Sequence, residues 1–423
     1  MKKKTYHIFT YGCQMNKSDS ERIAAHMEQA GFEIAPENKA DFVILNLCSV
    51  RQSAIDRVWG KLKNIRRENK KMKVVLTGCI LPDDKNKFRK KAEFILNIAE
   101  LRNWPDILLG KNFREAKPGE YLSIEPKHTS NVTAYVPIMT GCNNFCTYCA
   151  VPYTRGREIS RAPEDVINEV NKLIVQGYKQ IILLGQNVNS YQGKDKNGKI
   201  ISFAQLIKKL EKISGEWWLA FVSSHPKDIS DELIKCFSKP KHLIPYFHFA
   251  LQSGSDKILA KMNRKYTTDN FLKIIQKIRK TNPNTSISTD IIVGFPGETK
   301  NDFLETKKIM KEAKFDMAYI AQYSPRPNTA AATMQDNISR EEKKKREAEL
   351  TRVLEKTALE HNKKLMGKKI KVLVTQNKDN YYFGQTNQFK NVKIKTDQKN
   401  LLEKFVEINI TKVSAWNLEG KII

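Results

Sequence analysis

The stretch Thr140–Glu158, TGCNNFCTYCAVPYTRGRE, places Cys142, Cys146 and Cys149 at the spacing C-x3-C-x2-C, directly after the apolar, strand-like run AYVPIMTG. Structural zinc normally takes four protein ligands, and iron–sulfur clusters usually take four thiolates. Three thiols at a strand exit leave one metal position open to a substrate or cofactor, which is a catalytic arrangement. The seventh cysteine, Cys236 in the amphipathic run LIKCFS, is expected to be a buried structural residue and not a fourth ligand.

Five further strand-like runs follow: QIILLGQN, WLAFVSSH, YFHFALQSG, SISTDIIVGFPG and MAYIAQYSP, separated by helical patterns such as PEDVINEVNKLIVQG and NFLKIIQKIRK. Six βα units are too few for the closed eightfold barrel and predict an open, partial (βα)6 barrel over residues 128–358. Polar and glycine-rich residues gather where these strands end: Gln186 and Asn187, Ser223 to His225, Gln252 to Gly254, and Gly294 to Glu298. Barrel ligands collect at that end, which makes Gln186, Asn187, Ser223, Gln252, Ser253 and Gly294 candidate cofactor-binding residues. Turn chemistry uses the same residue types, but their repetition at successive exits favours a common ligand.

Upstream, residues 1–117 alternate strands and helices. TYHIFTYG, DFVILNL and KVVLTG read as buried strands, each followed by a helical stretch, and this order predicts a parallel α/β sheet. Each strand runs into a cysteine: Cys13, Cys48 and Cys79. In open α/β sheets ligands bind at the carboxyl ends of strands, so three thiols far apart in sequence are expected to meet. Buried apolar use of all three is the competing reading. Downstream, the charged helix REEKKKREAELTRVLEKTALEHNKK carries one apolar stripe, Leu350, Val353, Leu354 and Ala358. Residues 361–423 then hold short β runs, predicting a small β-barrel whose lysines and aromatics, Tyr381, Tyr382, Phe383, Phe389 and Trp416, divide between core and RNA contact.

The 423 residues carry a formal net charge of +28, which suits a polyanionic partner, although a lysine-favouring genome would produce a similar excess. No apolar run approaches membrane-spanning length and the N-terminus lacks a signal-peptide pattern, so a cytoplasmic protein with no membrane partner is expected. In that compartment seven cysteines argue for metal binding or catalysis over disulfides.

CNNFCTYC resembles the motif of radical S-adenosylmethionine enzymes. Together with YGCQMN, LLGQNVNSY, SSHP, LQSGSD, MNRKYT, DIIVGFPGET and YSPRPNT, it resembles the radical methylthiotransferases along the whole chain, most closely their MiaB-like branch. The resemblance implies a [4Fe–4S] cluster on Cys142, Cys146 and Cys149 that chelates S-adenosylmethionine, with Tyr148 near the adenine. It implies a second, auxiliary [4Fe–4S] cluster on Cys13, Cys48 and Cys79, and a C-terminal TRAM domain. The implied reaction adds a methylthio group to C2 of N6-isopentenyladenosine beside the tRNA anticodon, consuming two S-adenosylmethionine molecules. The C2–H bond is strong and barely acidic, which calls for a radical and not for a base or a side-chain nucleophile.

Such an enzyme is expected to act as a monomer on the anticodon stem-loop and to need an electron donor and a sulfur source. Arg155, Arg157 and Arg161 follow the cysteine loop and are candidate RNA-phosphate contacts, with ion pairs to Glu158, Glu164 or Asp165 as the competing use. Two alternatives stand beside this function: the same chemistry on N6-threonylcarbamoyladenosine in tRNA, and a non-catalytic, zinc-containing RNA-binding protein. A relative that modifies an aspartate of a ribosomal protein is disfavoured, because that partner is itself basic.

Overall fold

The structure is a computed structural model and describes residues 3–423 except Arg51, Lys70 and Glu115. In the first segment five parallel strands lie in the order Glu33–Ile34, Thr5–Tyr11, Phe42–Cys48, Lys73–Cys79 and Phe94–Ile95. The central strand, FVILNLC, is buried at every position, as a parallel strand covered on both faces must be. Phe42 and Ile44 pack with Ile23 and Met27 of the helix Gln14–Gln29. Val43, Leu45 and Leu47 pack with Ile55, Val58 and Leu62 of the helix Gln52–Glu68. Alternate residues thus serve opposite helical layers, each buried aliphatic contributing about 1.5–3 kcal/mol.

The second segment contains two three-stranded parallel sheets, Thr133–Pro137, Gln180–Leu184, Trp218–Phe221 and Tyr246–His248, Ser286–Val293, Met317–Gln322. Parallel bridges Leu219 to Leu243 and Ser224 to Phe249 join them, so the six strands form the expected open partial barrel in sequence order. Ile181, Leu183, Leu219, Phe221, Phe247 and Phe249 belong to the main core, shared with the surrounding helices. Their neighbours Ile182, Leu184, Trp218, Ala220 and Tyr246 pack with Met15 of the first segment and Leu373 of the third. The flanking segments therefore both reach the side of the sheet that its own helices leave open.

The third segment is a closed five-stranded barrel in the order Lys369–Lys378, Tyr381–Thr386, Asn391–Ile394, Leu418–Ile422 and Phe405–Val413. It seats on the partial barrel through Phe405 against Trp218, ring centroids 4.8 Å apart, Phe389 against Tyr246 at 4.5 Å, and a Lys390–Asp316 ion pair at 2.7 Å. Tyr382 fills its core, whereas Trp416 is exposed. The helix Arg340–Lys363 links the last two segments and buries Leu350, Leu354 and Ala358. No helix among the described residues is long and apolar enough to cross a membrane.

Candidate active site

The loop carrying Cys142, Cys146 and Cys149 leaves the short strand Met139–Thr140 through Gly141, whose φ is +78°. A Cβ at this position would lie 2.0 Å from the Arg157 carbonyl oxygen, so only glycine fits. Gly141→Ala is expected to cost at least about 1–3 kcal/mol locally and to lose half of the reconstituted iron while the auxiliary triad keeps its share. Iron and sulfide analysis of the purified variant checks this.

The loop is pinned from a distance by the segment MNRKYT. Asn263, with a left-handed φ of +55°, donates to the carbonyls of Asn144 at 3.3 Å and Phe145 at 3.0 Å, and Thr147 N–H donates to Met262 at 3.1 Å. Arg264 Nη1 donates to Cys146 Sγ at 3.4 Å, while Nη2 donates to the Ala250 carbonyl at 2.8 Å and Nε donates to Tyr266 Oη at 3.1 Å. The guanidinium thus faces the Cys146 sulfur from a buried, fixed position. Burial pushes the Cys149 thiol up to about 12, so loading a metal here must displace a proton.

The second triad forms at the ends of three adjacent strands. Cys48 and Cys79 are direct partners in the parallel ladder, and Cys13 caps the helix Gln14–Gln29. Asn16, three residues on, accepts from Cys13 N–H at 3.3 Å and from Cys13 Sγ at 3.4 Å, and its amide donates to Asn46 Oδ1 at 2.9 Å. That network fixes Cys13 against the strand that ends in Cys48. Cys79 hydrogen-bonds Cys48, which draws the Cys48 thiol down to about 7 and pushes Cys79 well up.

The segment that follows Cys149 reaches the second triad. Arg155, in the short helix Val151–Arg155 that follows Cys149, donates through Nε to Cys79 Sγ at 3.0 Å and pairs with Asp19 at 2.6 Å. Tyr121 Oη meets Thr140 Oγ1 at 3.2 Å beside it. From the last barrel strand's exit, Arg326 donates to Gln52 Oε1 at 2.7 Å, close enough for its charge to act on Cys48.

Three cysteine thiols are the donor type that iron–sulfur clusters take, so the chemistry of each triad suits one. At the barrel exits Gln186 Oε1, Ser224 Oγ and Gln252 Oε1 are buried without a hydrogen-bond partner. Ser223 and Gln252 also hold strained left-handed backbone, φ +68° and +67°. Orphaned polar atoms at three successive exits suit a polar cofactor lying across the barrel mouth. Tyr148 packs beside Phe295, Tyr323 and Met262, forming an apolar wall next to the Gly294 turn.

Known proteins resemble this chain in sequence along its whole length and in fold over most of it. Residues 136–310 match the Radical SAM superfamily, and residues 5–98 match a family described as "Uncharacterized protein family UPF0004". A radical S-adenosylmethionine methyltransferase, TsrM, from Kitasatospora setae, solved with cobalamin and a [4Fe-4S] cluster bound, shares the fold with a TM-score of 0.58 at 12% identity, covering 78% of this chain and 77% of its own. The tRNA-2-methylthio-N(6)-dimethylallyladenosine synthase of Carboxydothermus hydrogenoformans is 40% identical over the full length of both chains, and that of Thermoanaerobacter sp. (strain X514) is 40% identical over 99% of this chain and 92% of its own. The chain belongs to the tRNA-2-methylthio-N(6)-dimethylallyladenosine synthase family.

Within this synthase fold, several expected site residues hold other roles. Arg155 is not available to RNA: its side chain is 2% exposed and is committed to Asp19 and Cys79. Arg161 is likewise spent, pairing with Glu169 at 2.7 Å in a buried network that also includes Arg22. Their partners are thus Asp19 and Glu169, not the neighbouring acids Glu158, Glu164 or Asp165. Arg157 is exposed and lies over the Phe145 ring at 4.4 Å, which leaves it free to meet a phosphate. Ser253 turns away from the mouth, its hydroxyl 3.4 Å from Thr306 Oγ1 and accepting from Ser255 N–H. Asn187 is held at both ends, donating to Asp228 at 2.7 Å and accepting from His225 N–H at 3.1 Å. Gly294, at φ +71°, donates its N–H to Glu298, which pairs with Arg346 of the linking helix at 2.6 Å. Cys236 lies outside both triads and packs against the barrel core.

His225, in SSHP, is kept neutral: burial, followed by the charges of Arg264 and Lys227, lowers it to about 2, and Nδ1 accepts from Lys227 N–H at 3.2 Å. A histidine depressed in the folded state contributes stability that is full above the unfolded value near 6.5 and is lost as pH falls toward the folded one. Melting curves at pH 7.5 and 5.5 should therefore show a loss approaching about 1.4 kcal/mol per pH unit below 6.5, and His225→Asn should flatten that part of the profile.

Proposed function

We infer that this protein adds a methylthio group to C2 of N6-isopentenyladenosine beside the tRNA anticodon, with Cys142, Cys146 and Cys149 holding the radical cluster and Cys13, Cys48 and Cys79 the auxiliary one. The observation that carries the reading is Arg155, from the helix that follows Cys149, donating to Cys79 Sγ at 3.0 Å, which ties the segment of the first triad to the second. With both clusters and S-adenosylmethionine bound, the chemistry supplied is one-electron reduction of the sulfonium, hydrogen-atom removal and sulfur transfer.

The chain's own residues bind and orient. Gln186, Ser224 and Gln252 offer their unpartnered polar atoms to S-adenosylmethionine, and Tyr148 with the Gly294 turn provides an apolar wall for its adenine. Arg264 holds the Cys146 ligand from the far side of the loop. Arg157 and the lysine-rich C-terminal barrel, with Trp416 exposed, grip the anticodon stem-loop while the target base leaves its stack. The enzyme works as a cytoplasmic monomer and draws on an electron donor and a sulfur source.

Nucleoside analysis of tRNA from cells with and without the protein tests the reading. Loss of the methylthio-isopentenyl nucleoside supports it, and loss of the threonylcarbamoyl counterpart would reassign the substrate. Anaerobic reconstitution with iron and sulfide addresses the zinc-binding alternative, which would show stoichiometric zinc and no cofactor cleavage.

A further inference from the structure

Arg155 is drawn from the radical segment yet makes its contacts in the first. Its guanidinium donates to Cys79 Sγ at 3.0 Å through Nε, to Asp19 at 2.6 Å through Nη2 and to Tyr121 Oη at 3.4 Å through Nη1. Arg155 and Asp19 are 2% and 1% exposed, so the pair is sealed from water and its charge acts at short range. The ion pair holds the guanidinium in one orientation, and that orientation points an N–H at a cluster ligand. Asp19 lies on the helix that Cys13 caps, which ties the same contact to a second ligand of the triad.

We propose that Arg155 is a positioning residue that raises the reduction potential of the auxiliary cluster, so that docking of the radical segment completes the electrostatics of a site whose three thiolates all come from the other segment. This rests on the reading that Cys13, Cys48 and Cys79 hold an iron–sulfur cluster. Adding an electron to such a cluster adds negative charge beside three thiolates. A buried guanidinium and a hydrogen bond to sulfur both favour the more negative state. The Asp19 carboxylate opposes this weakly, because it sits beyond the guanidinium.

The test uses the full chain with Cys142, Cys146 and Cys149 replaced by alanine, leaving only the auxiliary cluster, and follows its paramagnetic signal through a reductive titration. Arg155→Met in that background should shift the midpoint to more negative potential, and Arg155→Lys, which keeps the charge but loses the fork, should shift it less. Should Arg155→Met fold poorly because Asp19 is left unpaired, Asp19→Asn with Arg155→Met removes both charges and is still expected to shift the midpoint negatively. A cluster that forms in the parent and keeps its midpoint in all three variants would overturn the proposal alone. A parent that binds no iron at Cys13, Cys48 and Cys79 would overturn the two-cluster reading, and the proposal with it.

Discussion

Reconstituted Cys149→Ala is expected to cleave no S-adenosylmethionine above an enzyme-free mixture, and to leave tRNA unmodified. Cys149 N–H donates to the Cys146 carbonyl at 2.9 Å within a loop whose other contacts, to Asn263, Arg264 and Met262, do not involve the Cys149 thiol. Removing Sγ leaves these contacts in place, so the expected loss is that of a proposed ligand and not a consequence of misfolding. A cluster left with two of its three thiolates would lack the anchoring that keeps one iron free for the cofactor. About half the iron should persist, bound at Cys13, Cys48 and Cys79. Anaerobic assay of 5′-deoxyadenosine formation checks this, and cleavage at the parent rate would remove Cys149 from the radical site.

Cys48→Ala is expected to give the opposite pattern: reductive cleavage of S-adenosylmethionine within about twofold of the parent, as for sites that share no ligand, but no methylthio nucleoside in tRNA. Cys48 ends a fully buried strand and packs with Ala54, Cys79 and Tyr11 of the first segment, within reach of the charges of Arg155 and Arg326. Replacing a small buried thiol by alanine costs on the order of 1 kcal/mol, too little to unfold a domain built on two buried helical layers. The expected product is a tRNA that is bound and turned over without gaining sulfur. Parallel measurement of 5′-deoxyadenosine and of modified nucleoside in one reaction separates the two functions.

Much of this arrangement is legible in the sequence because it obeys short-range rules. Three strands running into Cys13, Cys48 and Cys79 must bring their ends to one edge once the sheet is parallel, and in the structure the ladder pairs Cys48 with Cys79. The six barrel strands and the five of the C-terminal barrel announce themselves as apolar runs between turn residues. The arginines were not readable in this way. Arg155 meets Asp19 across 136 residues of chain, and Arg264 meets Cys146 across 118. No local pattern distinguishes such a buried guanidinium from a solvated one, so the reading of Arg155 and Arg161 as phosphate contacts followed their position in the sequence, while packing between segments decided their use. MNRKYT was visible as a motif, but its work of clamping the cysteine loop appears only when Asn263 and Arg264 are seen against it. Ser253 differs for another reason: its hydroxyl is taken up by Thr306, 53 residues away in sequence, and by the Ser255 N–H.

Anomalous diffraction at the iron edge from crystals of the anaerobically reconstituted protein tests the central claim, that six thiolates cage two clusters at one barrel mouth. The account predicts two iron peaks, one bonded to Cys13, Cys48 and Cys79 and one to Cys142, Cys146 and Cys149, with each unligated iron facing the space between them. A single iron site, or two whose open corners face away from each other, would contradict it.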